Sequence, residues 1–182
     1  SDGETIGPEL GFGFVVGDAL DAPVLLIKDA WGGKSLAKDF RPPSAVEKRG
    51  GSVGHYYKTM IKHIKNTLSN LPEYTPWEKG RGYEIAGFGW HQGWNDGCNA
   101  DATEEYEQNM ADFIRDVRDD LDVPDMPFVI ASSGFGGMEH CKGRRLDLVK
   151  AQLAMCDPEK YPEFKNNVAC VDTRPFNRSR IP

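Results

Sequence analysis

The chain is short of basic charge, of cysteine and of long apolar runs, and each shortage removes a class of function. Lys and Arg number 22 against 28 Asp and Glu, a formal net charge of −6, whereas nucleic-acid binders carry a basic face or stripe. No nucleic-acid partner is expected. No apolar run approaches the roughly 18 residues that a membrane helix needs, so no membrane partner is expected either. The four cysteines, Cys98, Cys141, Cys156 and Cys170, form no C-x-x-C pair and no zinc-ribbon spacing. They read as core thiols or one disulfide rather than as a metal or redox site. His140 beside Cys141 resembles a ligand pair, but adjacent residues on a regular element point apart. No metal and no cofactor are expected.

At 182 residues, 39% of them hydrophobic and 27% charged, the chain suits one globular domain over residues 1–182. It begins at Ser1 rather than Met and ends at Pro182 just after a strand-like segment, so both ends read as cut and the sequence is silent on a signal peptide. Asn177-Arg178-Ser179 matches a glycosylation sequon, a pattern too short to carry weight alone.

Hydrophobic periodicity divides the chain into alternating elements. A short helix is expected over residues 9–20, then a turn at Ala22-Pro23 and a buried strand over 24–27. Residues 31–54, including Arg41-Pro42-Pro43-Ser44, lack periodicity and read as a long loop. Tyr56, Tyr57, Met60, Ile61, Ile64 and Leu68 recur at helical spacing and predict an amphipathic helix over 55–71. After a polar turn through Pro72 and Pro76, a strand is expected to end near Trp90. A helix follows over 103–121, with Thr103 or Asp101 as its N-cap. The remaining elements are a strand at 128–131, a Gly-rich loop at 132–143, a helix at 144–155 and a strand at 168–171. Short apolar strands alternating with helices predict an α/β fold: a parallel sheet covered on both faces, joined by right-handed crossovers.

Ile85-Ala86-Gly87-Phe88-Gly89-Trp90 is followed at once by His91-Gln92-Gly93-Trp94-Asn95-Asp96. In open α/β sheets ligands bind beyond the carboxyl ends of the strands, where His91, Gln92, Asn95 and Asp96 would sit. Flanking aromatics suit a concave, partly apolar site with a few placed polar groups. Other motifs fail on inspection. Gly33-Lys34-Ser35 ends like a phosphate-binding loop, but the pattern needs glycine where Lys28 stands. Gly11-Phe12-Gly13-Phe14-Val15-Val16-Gly17 has its third glycine one place late for a dinucleotide fingerprint. No G-x-S-x-G pentad occurs, which leaves Ser132 or Ser133 with His140 as a fallback dyad.

Gly32-Gly33 and His91-Gln92-Gly93 each follow an expected strand and so fall on one edge of the sheet. A glycine lets a backbone N–H approach a reacting oxygen, and a glutamine amide offers a second donor. Two such donors make an oxyanion hole, where losing one typically costs roughly 3 kcal/mol of transition-state stabilisation.

These blocks resemble the sialate O-acetylesterase-like carbohydrate esterases of the SGNH-hydrolase superfamily. Gly7-Pro8-Glu9 matches the family's Gly-Pro-Glu stretch, residues 30–36 its Ala-Trp-Gly-Gly-x-Ser-Leu block, and residues 90–96 its Trp-His-Gln-Gly-Glu-x-Asp block. The resemblance implies a three-layer α/β/α sandwich of flavodoxin-like type, incomplete at both ends, and metal-free, serine-dependent removal of acetyl groups from sugars. It implies Gly33 or Gly32 as a backbone oxyanion donor and Gln92 as the side-chain donor. His91, Trp94, Asp96, Trp31 and Glu9 would then line the bound acetylated carbohydrate.

The departures are equally specific. The family's Gly-Gln-Ser-Asn block, which holds the nucleophile, and its late Asp-x-x-His block are both missing, and both are expected beyond the present ends. Trp94 stands where many relatives have glutamate. Residues 1–182 alone are therefore expected to lack esterase turnover. The rival expectation is a non-catalytic carbohydrate-binding module stacking sugars on Trp31, Trp90 and Trp94; a nucleotide-binding protein using Lys34 is a third. Family tendency and acidic charge favour a secreted or periplasmic setting over the cytosol, while the sugar, the oligomeric state and the compartment itself stay open.

Overall fold

The computed structural model describes residues 7–76, 80 and 82–178. The chain divides into two compact units, residues 1–31 and 32–182. Ser179 of the sequon and the terminal Ile181-Pro182 lie outside the described residues.

In the first unit, α1 (Pro8–Ala19) starts with proline in its first turn, where the missing N–H costs nothing. It has no buried residue. Lys28 forms an ion pair with Glu9, and that bond from Lys28 holds the Glu9 carboxyl below its ordinary range. Residues 24–27, expected as a strand, are irregular, and Val24, Leu25 and Leu26 are exposed. A short apolar run does not by itself distinguish a strand from an irregular segment.

The second unit contains α2 (Pro43–Arg49), α3 (His55–Ser69), α4 (Leu71–Tyr74), β1 (Phe88–Trp90), α5 (Ala100–Glu104), α6 (Tyr106–Leu121), β2 (Phe128–Ala131), α7 (Gly137–His140), α8 (Arg144–Ala154) and β3 (Val168–Val171). The three strands form one parallel sheet in the order β1-β2-β3. Phe88 pairs with Phe128 and Phe128 with Val168, so the strands end nearly level. This is the α/β architecture with a parallel sheet that the alternating pattern implied.

Period-two alternation assigns the sheet faces. Trp90, Phe128 and Ile130 are buried, whereas Gly89, Val129, Ala169 and Val171 are exposed. The inward side chains of the buried face meet the helices of the same unit. Helix α6 makes that core, because Tyr106, Met110, Phe113, Ile114 and Val117 repeat at helical spacing and are all fully buried. The Phe113 ring lies 4.4 Å from Trp90 and 6.0 Å from Phe88, centroid to centroid.

Several local expectations shift. The long loop contains α2, whose first-turn residue is Pro43, and Asp116 of α6 accepts from the Ser44 backbone N–H at 2.8 Å. Asp112 then binds Lys48 at 2.6 Å and Arg49 at 2.7 Å, fastening α2 to α6. The polar turn contains α4, and the Gly-rich loop contains α7. The helix expected over 103–121 is divided at Glu105 into α5 and α6, and the N-cap is Asn99, whose side chain accepts from Ala102 N at 2.9 Å. Thr103 turns inward instead and donates to the carbonyls of Asp96 and Asn99. Cys156, just beyond α8, is disulfide-bonded to Cys170 of β3; Cys98 and Cys141 are free thiols.

Candidate functional site

Parallel strands β1 and β2 both discharge into loops at the same edge of the sheet, residues 91–97 and 132–136. There a buried carboxylate joins the first of these loops to residues 34–37. Asp96 has no exposed surface. Its Oδ2 accepts from Leu36 N and its Oδ1 from Ala37 N, both at 2.9 Å. The same Oδ2 accepts from Gln92 Nε2 at 2.6 Å, and Nε2 gives its other hydrogen to the Lys34 carbonyl at 2.8 Å. A carboxylate accepts only, so it decides which end of the Gln92 amide faces the 34–37 segment.

The rest of Gln92 is held from within. Its backbone carbonyl accepts from Gln152 Nε2 at 2.6 Å and lies 3.1 Å from the Tyr106 hydroxyl, which is also 3.2 Å from Gln92 Oε1. Gln152, fully buried, accepts from Ser133 N at 2.8 Å through Oε1. One amide therefore joins the ends of β1 and β2. Trp90 Nε1 donates to the Tyr106 hydroxyl at 3.3 Å and completes the network. Burial raises the Asp96 carboxyl above its ordinary value of 3.8, against the lowering effect of the bonds from Gln92, Ala37 and Leu36. Burial likewise pushes the Tyr106 phenol up, so it stays a neutral donor.

Of the residues expected at the site, Gln92, Asp96, Gly32 and Gly33 fall on these two joined segments. Gly32 and Gly33 form an exposed turn, Gly33 with φ +67°. Their backbone N–H groups donate to nothing among the described residues. Asp96, expected against substrate, is an internal brace: it has no surface to offer a ligand. His91 is exposed at the start of the loop. Trp94 is exposed and stacks on Phe135, ring centroids 5.3 Å apart. Trp90 does not serve as a sugar platform, because it is buried against Phe113 and Phe40. Trp31 and Glu9 belong to the first unit, where Glu9 carries the Lys28 ion pair.

Ser133 is buried, and its Oγ lies 3.4 Å from the Gln92 carbonyl; among the described residues no hydrogen bond links it to His140. The fallback dyad is not assembled. Lys34 extends its ammonium over the Tyr56 ring, 4.5 Å from the centroid, and its carbonyl serves Gln92. Among the described residues no group of three or more His, Cys, Asp or Glu side chains is placed to hold a metal ion. Sequence reasoning missed Gln152 and Tyr106. A signal existed for the first: Gln152 is four residues after Leu148, on the buried face of α8.

Comparison with known proteins follows the same lines. A family model described as carbohydrate esterase, sialic acid-specific acetylesterase, matches residues 2–179. An Arabidopsis thaliana protein named Probable carbohydrate esterase At4g34215 is 26% identical over 168 residues, covering 90% of this chain and 56% of that protein. The X-ray structure of the Arabidopsis thaliana AT4G34215 protein superposes with a TM-score of 0.65 at 27% identity, over 93% of this chain and 56% of that one. The chain thus spans little more than half the length of this relative.

Proposed function

We propose, from the premise that this chain belongs to the carbohydrate esterase family described as sialic acid-specific acetylesterase, that it builds the carbonyl-polarising side of a serine-dependent O-acetylesterase acting on acetylated sugars. The observation that carries this reading is the fixed Gln92 amide, turned by Asp96 so that Nε2 faces the segment following the open N–H groups of Gly32 and Gly33.

In the proposed reaction a serine oxygen attacks the acetyl carbonyl, a tetrahedral oxyanion forms, and the sugar hydroxyl leaves with a proton from the histidine that took the serine's. Water then releases acetate from the acyl-enzyme. The oxyanion takes a glycine N–H from the 32–33 turn. It also displaces the neutral Lys34 carbonyl from Gln92 Nε2, while Asp96 keeps the other amide hydrogen and preserves the orientation. The Asp96 bond holds the amide in place beforehand, so only the bond to the Lys34 carbonyl is exchanged as charge develops. Neither a Gly-Gln-Ser-Asn nor an Asp-x-x-His block occurs among these residues, so in this reading nucleophile and base come from further sequence of the same protein.

The exposed Trp94 favours a second reading, a non-catalytic sugar-binding module. One experiment separates them: hydrolysis of an aryl acetate and of an acetylated sugar by a protein of the relative's length and by residues 1–182 alone. The esterase reading expects turnover from the first and none from the second. No turnover from either supports the module, and turnover by residues 1–182 that Ser133→Ala abolishes would restore the fallback dyad.

A further inference from the structure

We infer that Gln152 is a positioning residue for the reaction: its buried amide fixes the Gln92 backbone directly and the Gln92 side chain through Tyr106. The role rests on the esterase reading of Gln92. It belongs to a residue that no substrate touches, since Gln152 has no exposed surface.

The need for it arises where the sheet ends. The β1–β2 ladder stops at the pair Trp90 and Ile130, whereas β2 runs with β3 one pair further, to Ala131 and Val171. Gln92 lies two residues past the end of β1, so no ladder bond holds its carbonyl. Gln152 supplies the missing rung. A primary amide carries a donor and an acceptor, as a peptide group does. Its Oε1 accepts from Ser133 N at 2.8 Å and its Nε2 donates to the Gln92 carbonyl at 2.6 Å. A backbone N–H only donates, and this settles which end of the Gln152 amide faces which loop.

The effect reaches the Gln92 side chain through Tyr106. Gln152 Nε2 and Trp90 Nε1 each lie 3.3 Å from the Tyr106 hydroxyl. Both groups donate, so they take the lone pairs of that oxygen and leave its hydrogen for Gln92, whose Oε1 is 3.2 Å away. Asp96 holds Nε2 of the same side chain, so both ends of the oxyanion-donating amide are fixed. The backbone that carries Gln152 is anchored as well. Cys156, four residues on, is disulfide-bonded to Cys170 of β3, whose Sγ lies 3.6 Å from the Gln152 carbonyl.

The test is a double-mutant cycle in the full-length protein, with kcat and KM read on 4-nitrophenyl acetate and folding followed by circular dichroism. Gln152→Met, which keeps the length of the side chain and removes both bonds, is expected to lower kcat by about 10–10²-fold with KM little changed, the scale of a misplaced reacting group. Tyr106→Phe keeps the ring, is expected to lose less, and carries the test if Gln152→Met does not fold. Added to Gln92→Ala, either substitution should cost kcat little more, because the group it positions is gone. A merely structural role predicts the same loss in both backgrounds. In 15N-labelled protein the Gln92 side-chain amide resonances, identified by their loss in Gln92→Ala, should shift in both variants. Unchanged kcat in either folded variant, losses that add in full to that of Gln92→Ala, or unshifted Gln92 resonances would overturn the inference. A parent protein without turnover sinks the esterase reading alone and leaves the resonance shift to decide the positioning.

Discussion

Asp96 Oδ2 accepts from Gln92 Nε2 at 2.6 Å inside a carboxylate with no exposed surface, and Asp96 holds the backbone of Leu36 and Ala37 at the same time. One side chain thus fixes both the 34–37 segment and the amide that faces it.

Asp96→Asn is expected to destabilise the protein by about 1–3 kcal/mol, because an NH2 group must replace an acceptor and orphan a buried donor. The pH dependence distinguishes this from simple loss of packing. Burial raises the Asp96 carboxyl above 3.8, so the folded state holds its proton more tightly than the unfolded chain. The stability contributed by this group is complete below 3.8 and declines as pH rises through the raised folded value. Chemical denaturation across the acidic range should find that declining component in the parent protein and not in the variant.

Asp112 behaves oppositely. Burial alone would raise it, but hydrogen bonds and charge from Lys48 and Arg49 hold it below 3.8. Its contribution is present above that value and is lost as pH falls through the lowered folded one. Asp112→Asn is therefore expected to be less stable than the parent at about pH 5 and to lose less stability on acidification to about pH 3, as read from urea midpoints.

Gly93 has φ +149°, and a Cβ there would stand 2.5 Å from Ser133 Oγ, 2.8 Å from Gln152 Nε2 and 2.9 Å from Leu148. Gly93→Ala is expected to cost about 1–3 kcal/mol or more. Gly89→Ala on the exposed sheet face, where a Cβ meets nothing, is the control and should stay within about 0.5 kcal/mol. Equal effects of the two in urea unfolding would show that the Gln92 network is not tightly packed.

The α/β pattern could be read from the chain wherever local and tertiary signals agree. Phe128–Ala131 and Val168–Val171 are short β-rich runs bounded by turn residues, and both are strands as read. Residues 24–27 are a similar apolar run and are irregular, a difference that composition alone does not reveal. Pro43 was read as a loop marker although proline also suits a helix's first turn. At the site, the place of Gln92 could be read from its position just after β1, whereas the strand expected before the two glycines does not form. The role of Asp96 could not be read, because its partners Leu36 and Ala37 are about 60 residues away in sequence. A short polar residue beside an expected pocket looks the same whether it meets substrate or a neighbouring loop.

The most direct test of the Gln92 assignment is kcat on an acetylated sugar for Gln92→Ala in the full-length protein, with folding monitored alongside. If the Asp96-oriented amide stabilises the oxyanion, kcat falls by about 10²–10³-fold in a Gln92→Ala variant that is still folded at the assay temperature. An unchanged kcat in a folded Gln92→Ala variant would contradict it.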